Sequence, residues 1–285
     1  MYLTAILKQK EEFDDLAPWV GALLLEDRFL SADSKGDYDA AEFVKKAAKR
    51  GIIPIIQADR MVYPEEMALA KAHLERYFDL PCSFYITDLG LLYYLLEEKM
   101  EERIIYDPKT LLTNAMDIAV WSDFNVNQLG ISSEITLEDV RSIIQKTGIR
   151  AFYQVFGYRL MFHSRRQLLS LYQEKTGLCF DRTDCYLKEE KRPDLFPITE
   201  NEQGTFIYRS GIIHLEEELS DLPLTYALIE HYNIDSKTYV DIVSRYALLL
   251  EKKTVAASIT EFLAEHFVLS DGFAYQDSIY QKEEF

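Results

Sequence analysis

The sequence predicts an α/β protein whose strands close into a TIM-like (β/α)8 barrel, distorted or incomplete, with a small β-rich and helical C-terminal extension. Three observations predict it. Short apolar, β-prone runs alternate with amphipathic helical patterns through the first part of the chain, up to about Leu178. Alternation of this kind demands a mostly parallel sheet, because each parallel crossover needs a covering helix. The runs number about eight, the count at which such a sheet closes on itself. The units are short for that fold, and a doubly wound open sheet is the structural alternative.

In order, the expected strands are YLTAIL from Tyr2, ALLL from Ala22, IIPIIQ from Ile52, SFYIT from Ser83, RIIY from Arg103, IAVW from Ile118, QLGI from Gln128 and AFYQVF from Ala151. Pro54 lacks a ladder donor and marks the third strand as irregular. DAAEFVKKAAKRG, from Asp39, ends in basic residues and Gly51, as a helix C-terminus favours. PEEMALAKAHLERYF, from Pro64, has proline in its first turn and carboxylates at the positive dipole end. In TLEDVRSIIQKTG, Thr136 and Asp139 form a capping box and Gly148 the stop.

The barrel-like part is expected over residues 1–178. A β-rich extension follows over 179–220, where polar and apolar residues alternate around Pro193, Pro197 and Gly204. A helical segment packing on the barrel is expected over 221–285, from the amphipathic runs SKTYVDIVSRYALLLEKK and TVAASITEFLAEHF, with YQKEEF as a solvated tail.

Acidic residues outnumber basic ones by 48 to 31, for a formal net charge of -17. Such a field repels nucleic-acid phosphates over most of the surface, so RNA contact needs a local basic patch. Three cysteines are too few for a disulfide framework. The apolar start MYLTAIL has no basic leader, and no run is long enough to span a membrane. These features describe a cytoplasmic protein with reduced thiols and no membrane partner.

Barrels and open α/β sheets bind ligands at the carboxyl ends of their strands. Those ends supply Glu26, Asp27 and Arg28; Gln57, Asp59 and Arg60; Thr87 and Asp88; Asp107; Ser122 and Asp123; Ser132 and Glu134; and Tyr158 with Arg159. Carboxylates there can act as general acids and bases or hold a divalent cation. The competing role, for any of the Asp, Ser and Thr residues among them, is capping the helix that follows. Glu134 stands apart, because Thr136 already holds the cap. GYRLMFHSRRQLLSLY, from Gly157, gathers Arg159, Arg165 and Arg166 into one stretch, and the three are candidate anion ligands, the alternative being a helix N-terminal segment with solvated arginines. Arg159, placed directly after a strand, is the strongest of them. No GxSxG elbow, HExxH, P-loop or GxGxxG occurs. Cys179 and Cys185 are spaced wider than a CxxC pair.

The order of ITDLGLL, LGISSEITLEDV, FGYRLMFHSRRQLLS and CFDRTDCYL resembles the collagenase-like peptidase family, peptidase family thirty-two of the unassigned-mechanism class. The resemblance runs from about residue 20 to about 220. It implies a barrel-type α/β fold and places the chain among proteins named for peptidase activity, one branch of which hydroxylates the wobble uridine of tRNA. In that branch a short and a longer paralogue work together, and this chain is similar in length to the short one. Hydroxylating members hold an iron–sulfur cluster on four cysteines. Here Gln167 stands at the first of those positions and His214 at the last, with Cys179 and Cys185 as the middle pair. Glutamine does not ordinarily replace thiolate, so no cofactor is expected and a cluster is disfavoured.

The resulting expectation is a non-proteolytic component of tRNA wobble-uridine hydroxylation. It would act with a longer paralogue, bind an anionic small molecule and meet tRNA only indirectly. A peptidase or other hydrolase, and a non-catalytic oligomerising barrel, are the alternatives.

Overall fold

The structure is a computed structural model that describes residues 1–34, 36–191 and 193–276. Seven parallel strands pair side by side in chain order: β1 (Tyr2–Leu7), β2 (Ala22–Glu26), β3 (Ile53–Ala58), β4 (Ser83–Ile86), β5 (Ile104–Tyr106), β6 (Gln128–Gly130) and β7 (Arg150–Gly157). The chain then leaves the ring to build β8 (Leu160–Ser164), β9 (Cys185–Lys188), β10 (Leu195–Asn201), β11 (Gly204–Tyr208) and β12 (Ile212–His214). It returns as β13 (Tyr226–Ile229), which pairs in parallel with both β7 and β1. That double pairing closes an eight-stranded parallel barrel. A short β14 (Leu269–Ser270) lies beside β12, which runs antiparallel to the end of β7.

The helices between strands are α1 (Phe13–Leu16), α2 (Ala40–Lys49), α3 (Met67–Glu75), α4 (Leu89–Glu97), α5 (Ala115–Ser122) and α6 (Leu137–Thr147). After them come α7 (Leu168–Thr176), α8 (Ser236–Leu250) and α9 (Ala256–His266). Side chains of Asp39, Asp88, Asn114, Thr136 and Asp235 accept backbone N–H groups at the starts of α2, α4, α5, α6 and α8. Each offsets donors that a helix start leaves without partners. Gly148 ends α6 in the left-handed conformation, as its sequence position requires.

Strand side chains alternate between two cores. Ile6, Leu24, Ile55, Tyr85, Ile105, Phe152 and Leu228 fill the barrel interior. Their neighbours in sequence, such as Leu7, Leu25, Ile56, Ile104, Tyr153 and Ile229, face the helices in a second, larger core. Each buried aliphatic or aromatic side chain contributes about 1.5–3 kcal/mol. A one-residue slip would exchange the two faces, so the strand register is strongly specified.

The structure corrects the strand assignment at two places. IAVW is not the sixth strand: residues 118–121 lie in α5, started by Asn114, whose side chain accepts from Met116 and Asp117 N–H. β5 and β6 pair directly, leaving no place between them for another strand. A short apolar run does not by itself separate strand from helix. AFYQVF is therefore the seventh strand. The eighth is YALI at 226–229, inside the segment expected to be helical. Boundaries at 178 and 220 do not follow the sheets either, since the barrel needs 226–229 and the second sheet starts at Leu160. Pro54 sits in an unbroken β3, where pairing with β4 begins only at Ile55, so no bond toward β4 is lost. The expected tail YQKEEF lies outside the described residues.

Candidate functional site

The alternation that fills the barrel also builds the site. One inward position beyond the apolar interior, Ile6 gives way to Lys8, Leu24 to Glu26, Ile55 to Gln57, Ile105 to Asp107, Phe152 to Gln154 and Leu228 to Glu230. These six residues line a cavity of about 600 Å3 at the carboxyl end of the barrel. β8, β10, β11 and β9 form an antiparallel sheet, in the spatial order β8-β11-β10-β9, that roofs it. The roof contributes Leu160, Met161, Phe162, His163, Phe206 and Tyr208 to the lining.

The floor is a network of charges. Lys8 Nζ lies 3.2 Å from Asp33 and 3.9 Å from Glu26. Burial favours its neutral amine, but Asp33, Glu26 and Glu230 outweigh burial and raise its pKa. Burial raises the Glu230 carboxyl, against the opposing pull of Lys8 and Lys109. Across the floor the Tyr85 hydroxyl donates to Asp107 at 2.6 Å and accepts from Lys109 Nζ at 2.5 Å. Burial and then Asp107 push the Tyr85 phenol well above its usual range. Gly130 makes the trio possible: a Cβ there would lie 2.3 Å from Asp107 Cγ. Gln57 donates to Asp59 at 3.0 Å, and Asp59 also accepts Ala32 N–H.

Of the three arginines, only Arg159 lines the cavity. It is 6% exposed, donates one N–H to the Gln154 carbonyl and has a buried Nε without a partner. Arg165 is spent elsewhere. It donates to the Met61 carbonyl, to Gln203 and to Glu66, and lies over the Tyr63 ring. Arg166 is exposed and outside the cavity lining. The three therefore do not form one anion pocket. Asp88 reaches the cavity edge, but its carboxylate caps α4 by accepting from Gly90 and Leu91. Glu134 is half-buried and not part of the lining.

The residues at the family's cysteine positions do not come together as a ligand set. Gln167 is the exposed first cap of α7. The backbone N–H groups of Leu169 and Ser170 instead donate to Glu200 of β10. Cys179 is exposed, and Cys185 Sγ donates to the Ile198 carbonyl within the roof sheet. His214 Nδ1 lies 3.0 Å from Glu216, a buried carboxylate that also accepts from Tyr246 and Thr260. Among the described residues, no three His, Cys, Asp or Glu side chains gather as a metal site.

Glu26, Gln57, Asp59 and Asp107 were readable as strand-end residues. Lys8, Asp33, Tyr85, Lys109, Gln154 and Glu230 were not singled out. For Lys8 and Gln154 the signal was available, because each stands two residues beyond an inward apolar side chain.

A family model described as Peptidase family U32 matches residues 27–255, most of the chain. The chain belongs to peptidase family U32. Among curated relatives it is 24% identical, over 141 residues, to the tRNA hydroxylation protein P2 of Bacillus subtilis (strain 168). The match spans 47% of this U32 chain and 46% of that relative, somewhat under half of each. The solved structure titled U32 Peptidase Mk0906 aligns with a TM-score of 0.49 at 12% identity, over 81% of this chain and 93% of its own. The Bacillus cereus spore cortex-lytic enzyme SleL aligns with a TM-score of 0.43 at 9% identity, over 89% of this chain and 74% of its own. No helix among the described residues is long and apolar enough to cross a membrane.

Proposed function

We propose that this U32 protein is a cytoplasmic, non-proteolytic component of tRNA wobble-uridine hydroxylation, acting beside a longer paralogue. The similarity to the Bacillus subtilis tRNA hydroxylation protein carries the reading. Its part is to bind a small molecule in the barrel cavity, with the Arg159 side chain at the lining meeting an anionic group. Tyr85, Asp107 and Lys109 are the groups placed to move a proton there.

An accessory role fits the charge. Six carboxylates, Glu26, Asp33, Asp59, Asp88, Asp107 and Glu230, line the cavity beside three cations, Lys8, Lys109 and Arg159. That balance disfavours a run of RNA phosphates. The donor set at Gln167, Cys179, Cys185 and His214 does not fit a four-thiolate cluster, so iron–sulfur chemistry belongs to the partner. Peptide hydrolysis has less support. Among the described residues lining the cavity, no serine, threonine or cysteine is hydrogen-bonded to a histidine ring.

Deleting the gene and measuring hydroxylated wobble uridine in total tRNA by mass spectrometry tests the reading. Loss of the nucleoside, restored by the wild-type chain, is the expected result. A deletion strain that keeps it, together with peptide cleavage by the pure protein, would establish the hydrolase instead.

A further inference from the structure

The described residues of 158–210, which carry the roof sheet and α7, join the barrel on one side through two chain crossings and an aromatic contact, Tyr208 stacked on Tyr232 at 3.7 Å. The two crossings run together: Arg209 N–H donates to the Arg159 carbonyl at 2.8 Å. A glycine with positive φ stands at the barrel end of each, Gly157 at 111° and Gly211 at 79°. Only glycine adopts such conformations without strain, and a Cβ on Gly157 would lie 2.6 Å from Glu230 Cβ. Both glycines flank the anchored pairing of β7 with β12.

The opposite edge of the roof is held by side chains. Arg165 reaches Glu66 at 2.9 Å and the Met61 carbonyl at 3.0 Å, both in the connection after β3. Asn201 donates to the Ala32 carbonyl and to Asp33, each at 3.3 Å, in the connection after β2. In the eight-membered ring β3 stands four places from β7, diametrically across the mouth.

We propose that residues 158–210 are a hinged lid over the barrel cavity, swinging on the Gly157 and Gly211 crossings and latched by Arg165 and Asn201. Opening breaks the latches and the packing of Phe206 and Tyr208 against Ala32 and Tyr232, and leaves the roof's own sheet and the barrel's ladder intact. Each latch adds a polar contact to that packing, so losing one raises the open population without global unfolding. The arrangement also accounts for Arg165 at its position: it closes the site rather than binding the ligand.

Tetranitromethane nitration of the full-length protein, mapped by peptide mass spectrometry, tests the lid. Tyr85 on the cavity floor reports opening. Tyr239, fully buried in the helix layer and bonded to the Ile229 carbonyl, reports general loosening. Arg165→Met and, independently, Asn201→Ala should each raise Tyr85 nitration, by about tenfold for the charged latch, and leave Tyr239 unchanged. Tyr85 reactivity unchanged in both variants would overturn the lid, and so would Tyr85 and Tyr239 rising in parallel.

Discussion

On the cavity floor, polar side chains on the barrel strands and in the connections just beyond them answer one another: Lys8 to Asp33 and Glu26, Lys109 to Tyr85, Tyr85 to Asp107. On the roof, the residues facing the cavity are mostly apolar or aromatic, and its polar contacts lie at the edge, where Arg165 and Asn201 reach the barrel. Glu26 and Tyr85 are placed by ladder register and cannot shift without breaking the barrel, while Asp33 and Lys109 reach in from the connections after β2 and β5. Roof groups are placed by a sheet that touches the barrel through separable contacts. The difference teaches that charge is kept on the rigid half and the apolar surface on the half held by latches.

The comparison breaks most severely at Lys8. Lys8→Met leaves the buried Glu26 and the half-buried Asp33 without their ammonium, and urea unfolding should show a loss of about 3 kcal/mol. A loss under half of that would mean the floor charges are solvated and not mutually dependent. Gly130→Ala comes next, because its Cβ must displace Asp107; about 2 kcal/mol is expected from the same measurement. Activity should fall further than stability does, since Asp107 orients Tyr85.

Acid sharpens the contrast. His231 follows Glu230 at the end of the eighth barrel strand, stacked on Tyr239 at 3.7 Å, and burial drives its pKa down to about 3. A folded-state value below the unfolded one near 6.5 means that its contribution is complete above pH 6.5. The contribution is lost progressively as pH falls toward 3, at about 1.4 kcal/mol per pH unit. His231→Gln should flatten the stability profile between pH 6.5 and 5. The smallest effect belongs to the roof. Glu200→Gln weakens the acceptor for Leu169, Ser170 and Thr205 and should cost about 1 kcal/mol. Hydrogen exchange should quicken in the roof peptides and not in the barrel strands.

How far the sequence could be read depended on the reach of each interaction. β1 to β5 were legible because their apolar runs are bounded by turn residues and followed by helical patterns. Thr136 and Gly148 marked α6 from local chemistry alone. YALI escaped because four apolar residues between Pro223 and an amphipathic helix carry no periodicity of their own; pairing with β1 and β7 makes them a strand. Glu230 went with it. Arg165 was read as a ligand because its partner Glu66 lies 99 residues away in sequence. Arg159 lines the cavity because it stands directly after a strand.

The late return of Tyr226–Ile229 to close the ring has a consequence for the chain's biosynthesis. Until residues 226–229 emerge, β1 and β7 each present an unsatisfied ladder edge, and the roof must be threaded out of the way before the ring can shut. Pairings this distant in sequence form slowly, and open parallel edges invite other chains to pair with them. A nascent chain stalled or cut near residue 178 would hold Tyr85, Asp107, Lys109 and Arg159 and still be a seven-stranded open ring prone to aggregate. For this protein, completeness of synthesis is itself a condition of solubility.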